Sequence, residues 1–405
     1  MQILIISNKV PYPANDGGAI ATLNLAKGFA LSGNKVSMLA MNTNKHYCDI
    51  NCVSDELKKI INFYIVDVPA KITPQGLLKN YLFSKLPYNA ERFIVNNFKT
   101  ELVNHLKQNT YDVIQLEGLY VLPYVDVIRK YSKALISYRA HNVEHEIWER
   151  VLRQEISTYK KIYLKSLIKR LTKFEKKLLN TYDVIVPITE RDEKKLNNMG
   201  NKKLSFVSKT GIDFDTIKIN NKNTDYPSIF HIGALDWAPN QEGLKWFFNK
   251  VWQQVINKKP DLKIYIAGRN APKNFEYFLK SQKNTIYLGE IDNAHKFINS
   301  KAVMIVPLFS GSGLRIKIIE GMSLGKVIIS TSIGAEGINI TNKKNILIAD
   351  NSNDFVNNIV DICYDYKKYN YIKNNAIEFS RVNFDINKIS NDLVNFYRQN
   401  LNKKN

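Results

Sequence analysis

Cysteine is scarce. Cys48, Cys52 and Cys363 are the only thiols in 405 residues, too few and too scattered for a disulfide framework, and they point to a reducing, cytoplasmic setting. No run of 18 apolar residues occurs, so no segment has the length and apolarity of a membrane-crossing helix. The opening MQILIISNKVPYP carries no basic stretch before its apolar run, and Pro11 and Pro13 follow it; it reads as a first strand, not an export signal. Neither GxGxxG nor GxxxxGK[ST] is found, which lowers the expectation of a nicotinamide enzyme or a P-loop. Internal repeats and low-complexity linkers are also missing.

What is present suits a folded enzyme-sized chain. Apolar residues make up 44%, and 405 residues exceed one ordinary core, so two domains are expected. The net charge is +21, and its distribution says more than its size. Between Trp148 and Asn180 ten Lys/Arg face three Glu, a local charge of +7. In the same segment Ile156, Tyr159, Tyr163, Leu167, Leu171, Phe174 and Leu178 recur every three or four residues. That spacing predicts an amphipathic helix with a cationic outer face. It either docks on an anionic membrane or covers its own sheet with solvated lysines, and no nucleic-acid partner is expected.

Short β-rich runs alternate with helical patterns along the chain: Ile3–Ile6, Lys35–Met41, Val113–Leu116, Ala134–Tyr138 and Val184–Ile188, with a helix from about Gly18 to Leu31. After a polar break at Asn220, Asn221, Asn223, Asp225 and Pro227 the pattern restarts. Strands are expected at Ser228–Ile232, Leu262–Ala267 and Thr285–Leu288, and helices at Asn240–Ile256 and near 292–299. Alternation of this kind builds a parallel sheet covered on both faces. The expected fold is α/β, two Rossmann-like doubly wound domains facing across a cleft. Residues 1–220 form the first domain and 221–385 the second. Residues 386–405 form a helix that packs back on the first domain.

The segment Val303–Gly337 carries the strongest chemical signal. It reads as strand, glycine-bearing turn, helix and strand. Gly311 and Gly313 allow close backbone approach, and the helix start offers free N–H groups and a positive dipole end. Arg315 and Lys317 add charge for phosphate oxygens, and Glu320 can accept two hydrogen bonds from a ribose diol. The alternative is a solvated helix face with an i,i+3 ion pair. A second glycine pair, Gly17-Gly18, follows the first strand behind Asp16. Glu117 ends the strand VIQLE, as an acceptor contact or a structural carboxylate. His141 follows the strand ending at Tyr138 and could bond a sugar hydroxyl or a phosphate. His141 to His145 matches HxxEH, but His141 sits too close to that strand for both histidines to share a helical face, so no metal is expected.

Together these segments resemble the family 4-type glycosyltransferases of the GT-B fold. The most specific match is GSGLRIKIIEGMSLGKVIISTSIGAEGI. ISNKVPYPANDGG, YRAHNVE, PITERD, TGIDFD and HIGALDWAPNQEG support it and extend it over nearly the whole chain. The resemblance implies transfer of a sugar from a nucleotide-diphosphate sugar to a glycan, lipid-linked or other acceptor, in cell-surface polysaccharide or glycoconjugate synthesis. It also implies retention of configuration and no required cofactor or metal. It places Glu320 on the ribose, Gly17, Gly18 and Gly233 beside the donor, and His141 on the sugar. Asp16 and His141 are bases only if the reaction inverts. Ser312 occupies the position where the family carries a first glutamate. No cation stands between Gly233 and Trp237, and Arg315 and Lys317 take over the diphosphate. Two rivals stay open: a nucleotide-sugar epimerase or hydrolase of the same fold, and a non-catalytic membrane or nucleic-acid binder using the basic helix.

Overall fold

The computed structural model describes residues 1–220, 224–311 and 313–402. Asn221, Asn223 and Ser312 lie outside the described residues. The chain divides into two compact units, Met1–Gly211 with Ile386–Asn405, and Ile212–Asp385. The crossing point lies upstream of the polar stretch near 220, because Ile212 is already tied to the outgoing chain. Its amide donates to the Phe384 carbonyl at 2.8 Å, and it bridges Asp385.

The first unit holds seven parallel strands: β1 Gln2–Ser7, β2 Lys35–Thr43, β3 Ile61–Val68, β4 Val113–Glu117, β5 Leu135–Ala140, β6 Val184–Pro187 and β7 Leu204–Ser205. Their order is β3-β2-β1-β4-β5-β6-β7. The second unit holds six: β8 Asp225–Ile232, β9 Lys263–Ala267, β10 Thr285–Gly289, β11 Lys301–Val306, β12 Val327–Ser330 and β13 Leu347–Ile348, in the order β10-β9-β8-β11-β12-β13. Counted within its own unit, the second sheet repeats the order of the first six strands. Both are doubly wound, Rossmann-like sheets whose strand order reverses beside the first strand, between β1 and β4 and between β8 and β11. Central strands such as β1 and β12 are apolar over most of their length, Ile3–Ile6 and 327–329, because helices cover both faces of a parallel sheet.

One face of the first sheet packs Ile3, Ile5, Val113 and Leu135 against Phe29 of the helix Gly17–Leu31 and Leu393 of the helix Ile386–Leu401. These helices meet closely at Gly28, where an added Cβ would lie 2.5 Å from Ser390 Oγ. The other face packs Leu4, Ile114 and Leu116 against Leu171 and Phe174. Those two residues come from the basic helix Thr158–Leu178, whose apolar stripe is divided. Leu167, Leu171 and Phe174 are core, whereas Ile156 and Tyr159 are exposed. The helix expected over Asn240–Ile256 is three pieces, Ala238–Phe247, a π-turn at Phe248–Trp252 and Gln253–Lys258. The wider turn brings Phe247, Phe248 and Trp252 all into the core.

Candidate active site

The second unit gathers its polar groups where β8 and β11 end. In open sheets of this kind ligands sit beyond the carboxyl ends of strands where the order reverses. After β11 the chain turns through Gly311 and Gly313, with φ of 106° and 80°, and enters the helix Ile316–Ser323 with Arg315 at its cap position. Gly311 cannot be replaced cheaply: a Cβ there would meet the Trp237 ring at 2.8 Å and Arg315 Nη2 at 3.1 Å. Arg315 is buried, its guanidinium 5.4 Å from the Trp237 ring centre, and its Nη1 donates to the Gly313 carbonyl.

Lys317 lies beneath it, half-buried, with two uncharged acceptors. Its Nζ donates to Asn240 Oδ1 at 3.0 Å and sits 3.5 Å from His231 Nε2. His231 Nδ1 lies 3.1 Å from the Ile305 carbonyl, so Nδ1 carries the proton and Nε2 offers its lone pair to Lys317. Burial, and then the Lys317 charge, keep His231 neutral, well below its usual range. Burial followed by repulsion from Arg315 lowers Lys317 to about 7. Glu320 does not offset that charge; its Oε1 lies 3.7 Å from His295 Nε2 instead. The ion pair expected of a solvated helix face is therefore not formed. Gly233 leaves the space above this cluster, since a Cβ there would come within 3.0 Å of Asn240 Nδ2 and 3.1 Å of Lys317 Nζ. Two adjacent cations, with no ion pair on Lys317 among the described residues, form a seat for an anion.

The first unit contains the opposite arrangement at the ends of β1, β4 and β5, where Ser7, Glu117 and Arg139 stand in register. Glu117 is buried and accepts from Thr22 Oγ1 at 2.9 Å, from His141 Nε2 at 2.6 Å and from Gln115 Nε2, with Arg139 Nε 4.0 Å away. Burial alone would raise this carboxyl. The bond and charge of His141, with Arg139 and Thr22, prevail and hold it at about 2. The chain of bonds continues inward: Tyr397 Oη donates to Gln115 Oε1 at 2.7 Å and lies 2.7 Å from Ser137 Oγ. His141 is the partly exposed end of this network, its ring orientation set by a carboxylate.

Asp16 caps the first helix, accepting from the Ala19 amide at 2.9 Å, and pairs with Lys9 Nζ at 2.7 Å. Burial pushes its carboxyl up, but Lys9 and the Ala19 amide outweigh burial and lower it. Gly17 and Gly18 open that helix, and a Cβ on Gly18 would lie 3.3 Å from Asp16 Oδ1. His145 turns away from His141, its Nδ1 2.6 Å from Glu175 Oε2, so the two histidines of HxxEH serve different carboxylates. The unnoticed members of these clusters are His231, Trp237 and Asn240 in one unit and Thr22, Gln115, Arg139 and Tyr397 in the other. His231, Trp237, Asn240, Gln115 and Arg139 lay inside the quoted runs HIGALDWAPNQEG, VIQLE and YRAHNVE without being singled out, and no quoted run held Thr22 or Tyr397.

Residues 226–365 match the family described as Glycosyl transferases group 1. An uncharacterised 44.6 kDa protein in the cps region of Klebsiella pneumoniae is 26% identical, over 96% of this chain and 97% of that one. Among solved structures, sucrose-phosphate synthase from Thermosynechococcus elongatus superposes with a TM-score of 0.73 at 16% identity, covering 98% of this chain and 99% of that chain. Anabaena HepE in complex with UDP-glucose superposes with a TM-score of 0.64 at 13% identity, covering 98% and 100%. The fold is of the GT-B kind over the whole length, and the match to the Glycosyl transferases group 1 family covers residues 226–365, within the second unit.

Proposed function

We propose that the protein transfers a sugar from a nucleoside-diphosphate sugar to a glycan or lipid-linked acceptor in the synthesis of a cell-surface polysaccharide. The observation that carries this is the pairing of Arg315 with Lys317, whose Nζ makes no ion pair among the described residues, at a helix start beyond β11. A diphosphate leaving group supplies the missing negative charge. As the glycosidic bond to the donor breaks, charge grows on that diphosphate, and fixed cations stabilise it without rearranging. The protein's own cations thus occupy the charge-clamping role. Glu320 is assigned the ribose diol, and Gly233 and Gly311 the close backbone approach. HepE's complex with UDP-glucose supports a donor of this class, and the cps-region relative supports polysaccharide synthesis.

In the first unit His141 is assigned a contact to the sugar, with configuration retained. Its bond to Glu117 favours one alternative, in which the pair is an oriented base and the reaction inverts. Asp16 is assigned the helix cap alone. The decisive experiment offers UDP-, GDP- and dTDP-sugars with a glycan or polyprenyl-phosphate acceptor and determines the product anomer by NMR. Donor consumption that needs no acceptor would instead identify a hydrolase or epimerase. Equal donor affinity in wild type and Arg315→Ala/Lys317→Ala would remove the diphosphate role.

A further inference from the structure

The first unit carries an apolar surface that its fold leaves uncovered. The helix Pro74–Phe83 and the first turns of the basic helix Thr158–Leu178 lie side by side. Arg170 pins them together: its Nη1 reaches Asn80 Oδ1 at 2.9 Å and the Ser84 and Leu86 carbonyls at 3.3 Å. Between them Leu77, Leu78, Tyr81, Tyr159, Ile162 and Tyr163 line an open pocket of about 460 Å³. Around it Ile156 is 90% exposed, Tyr159 87% and Phe83 81%. Large apolar side chains clustered this way mark a binding surface, not scattered exposure.

The rim decides the partner. Lys71, Lys79 and Lys85 flank the shorter helix and are exposed, and no acid occurs from Ala70 to Ala90. On the longer helix Lys160, Lys165 and Lys169 are exposed. Its one acid, Glu175, is buried against His145. Glu155, just before the helix, is held by the Ile156 and Ser157 amides at 3.0 and 2.9 Å and lies 4.0 Å from Lys160 Nζ. An apolar crest inside a ring of lysines fits an interface that is greasy within and anionic at its edge.

We propose that this surface docks on an anionic lipid bilayer. The Ile156, Tyr159 and Phe83 side chains enter the headgroup boundary, an acyl chain occupies the pocket, and the lysines meet lipid phosphates. A nucleic acid would use the lysines but not the aliphatic crest. Docking needs neither donor nor catalysis, so its test is independent of the transfer reaction.

The test is co-sedimentation of the full chain with phosphatidylcholine vesicles, with and without one-quarter phosphatidylglycerol. Binding is expected only with the anionic lipid, weakening as salt rises. Lys79→Glu/Lys165→Glu/Lys169→Glu should cut partitioning by roughly fivefold or more per lysine. Ile156→Ser/Tyr159→Ser should lower it at least about tenfold with thermal unfolding unchanged, since both residues are exposed. Lys367→Glu/Lys368→Glu, on the other unit, should bind like wild type. Equal partitioning of all four proteins, or equal binding to both vesicle types, overturns the proposal. So does self-association in the absence of lipid that Tyr159→Ser abolishes, which would make the surface a contact between two copies.

Discussion

The two units answer the same topological position with opposite electrostatics. Beyond β4 a buried carboxylate is surrounded by everything that satisfies it: His141, Thr22, Gln115 and Arg139. Beyond β11 a lysine is crowded by another cation and left with neutral acceptors. In the first cluster the carboxylate is fully partnered without a ligand and holds a histidine still, although Nε and Nη1 of the buried Arg139 have no hydrogen-bond partner among the described residues. In the second, under the proposed function, an arriving anion supplies the partner. Strand order alone cannot tell a positioning device from a binding device; the residual charge can.

The largest effect should come from breaking the satisfied cluster. Glu117→Gln leaves Arg139 buried without its carboxylate, and a loss of about 3–5 kcal/mol in unfolding free energy is expected in urea titrations. A loss below 1 kcal/mol would mean that the cluster is not tightly coupled. Next comes the unsatisfied cluster, where the sign should reverse. Lys317→Met should weaken donor binding by about 1.5–3 kcal/mol, tenfold to roughly a hundredfold by calorimetry. It should leave the ligand-free melting midpoint unchanged or higher, because a crowded cation is removed. A ligand-free variant that melts well below wild type would erase the distinction between the clusters.

Titration sharpens the same contrast. Glu117, held at about 2 against an ordinary 4.5, contributes stability that is complete above pH 4.5 and lost as pH falls toward 2. Lys317 runs the other way. Between about 7 and its ordinary 10.5 the unfolded chain binds the proton and the folded one does not, so its contribution to stability rises with pH across that window. A bound diphosphate needs the protonated form. Calorimetry at pH 8 in buffers of differing ionisation enthalpy should therefore show proton uptake on donor binding in wild type and none in Lys317→Met. The smallest effect belongs to Tyr397→Phe, which removes the hydroxyl bonded to Gln115. It should cost about 0.5–1.5 kcal/mol and displace the His141 ring resonances. Unmoved resonances would uncouple that hydroxyl from the histidine.

Much of the scaffold was legible in the sequence because parallel strands covered on both faces write themselves as apolar runs, as at Ile3–Ile6 in β1, 302–306 in β11 and 327–329 in β12. Of the edge strands β10 was expected, but β3, β7 and β13 were not. β3 alternates buried and exposed residues, and β13 is two residues long. Arg315, Lys317 and Glu320 could be read because glycines and cations stand together within one turn of chain. Their setting could not, since His231 and Asn240 arrive from another strand and helix. Arg139 was quoted only as part of the run YRAHNVE; the register with Glu117 shows why a cation is buried there. Tyr397 lies 282 residues from the glutamine it bonds, and no local pattern reports such a partner. The basic helix was read correctly for period but not for burial, because a stripe of apolar residues does not say where the core beneath it ends.

The first unit is not finished when its own strands are. The second unit is inserted between Gly211 and Ile386, and the last helix closes the sheet face that carries Gln115, Ser137 and Arg139. A ribosome that has made all seven strands of the first sheet has still not made the residue that anchors the far end of the His141 network. A chain released at Asp385 would hold every candidate donor contact and every strand, yet leave that face of β1, β4 and β5 without Leu393, Val394 and Tyr397 in its core. The histidine's support thus waits on a segment made after the second unit, and loss of the helix Ile386–Leu401 should disable the first unit.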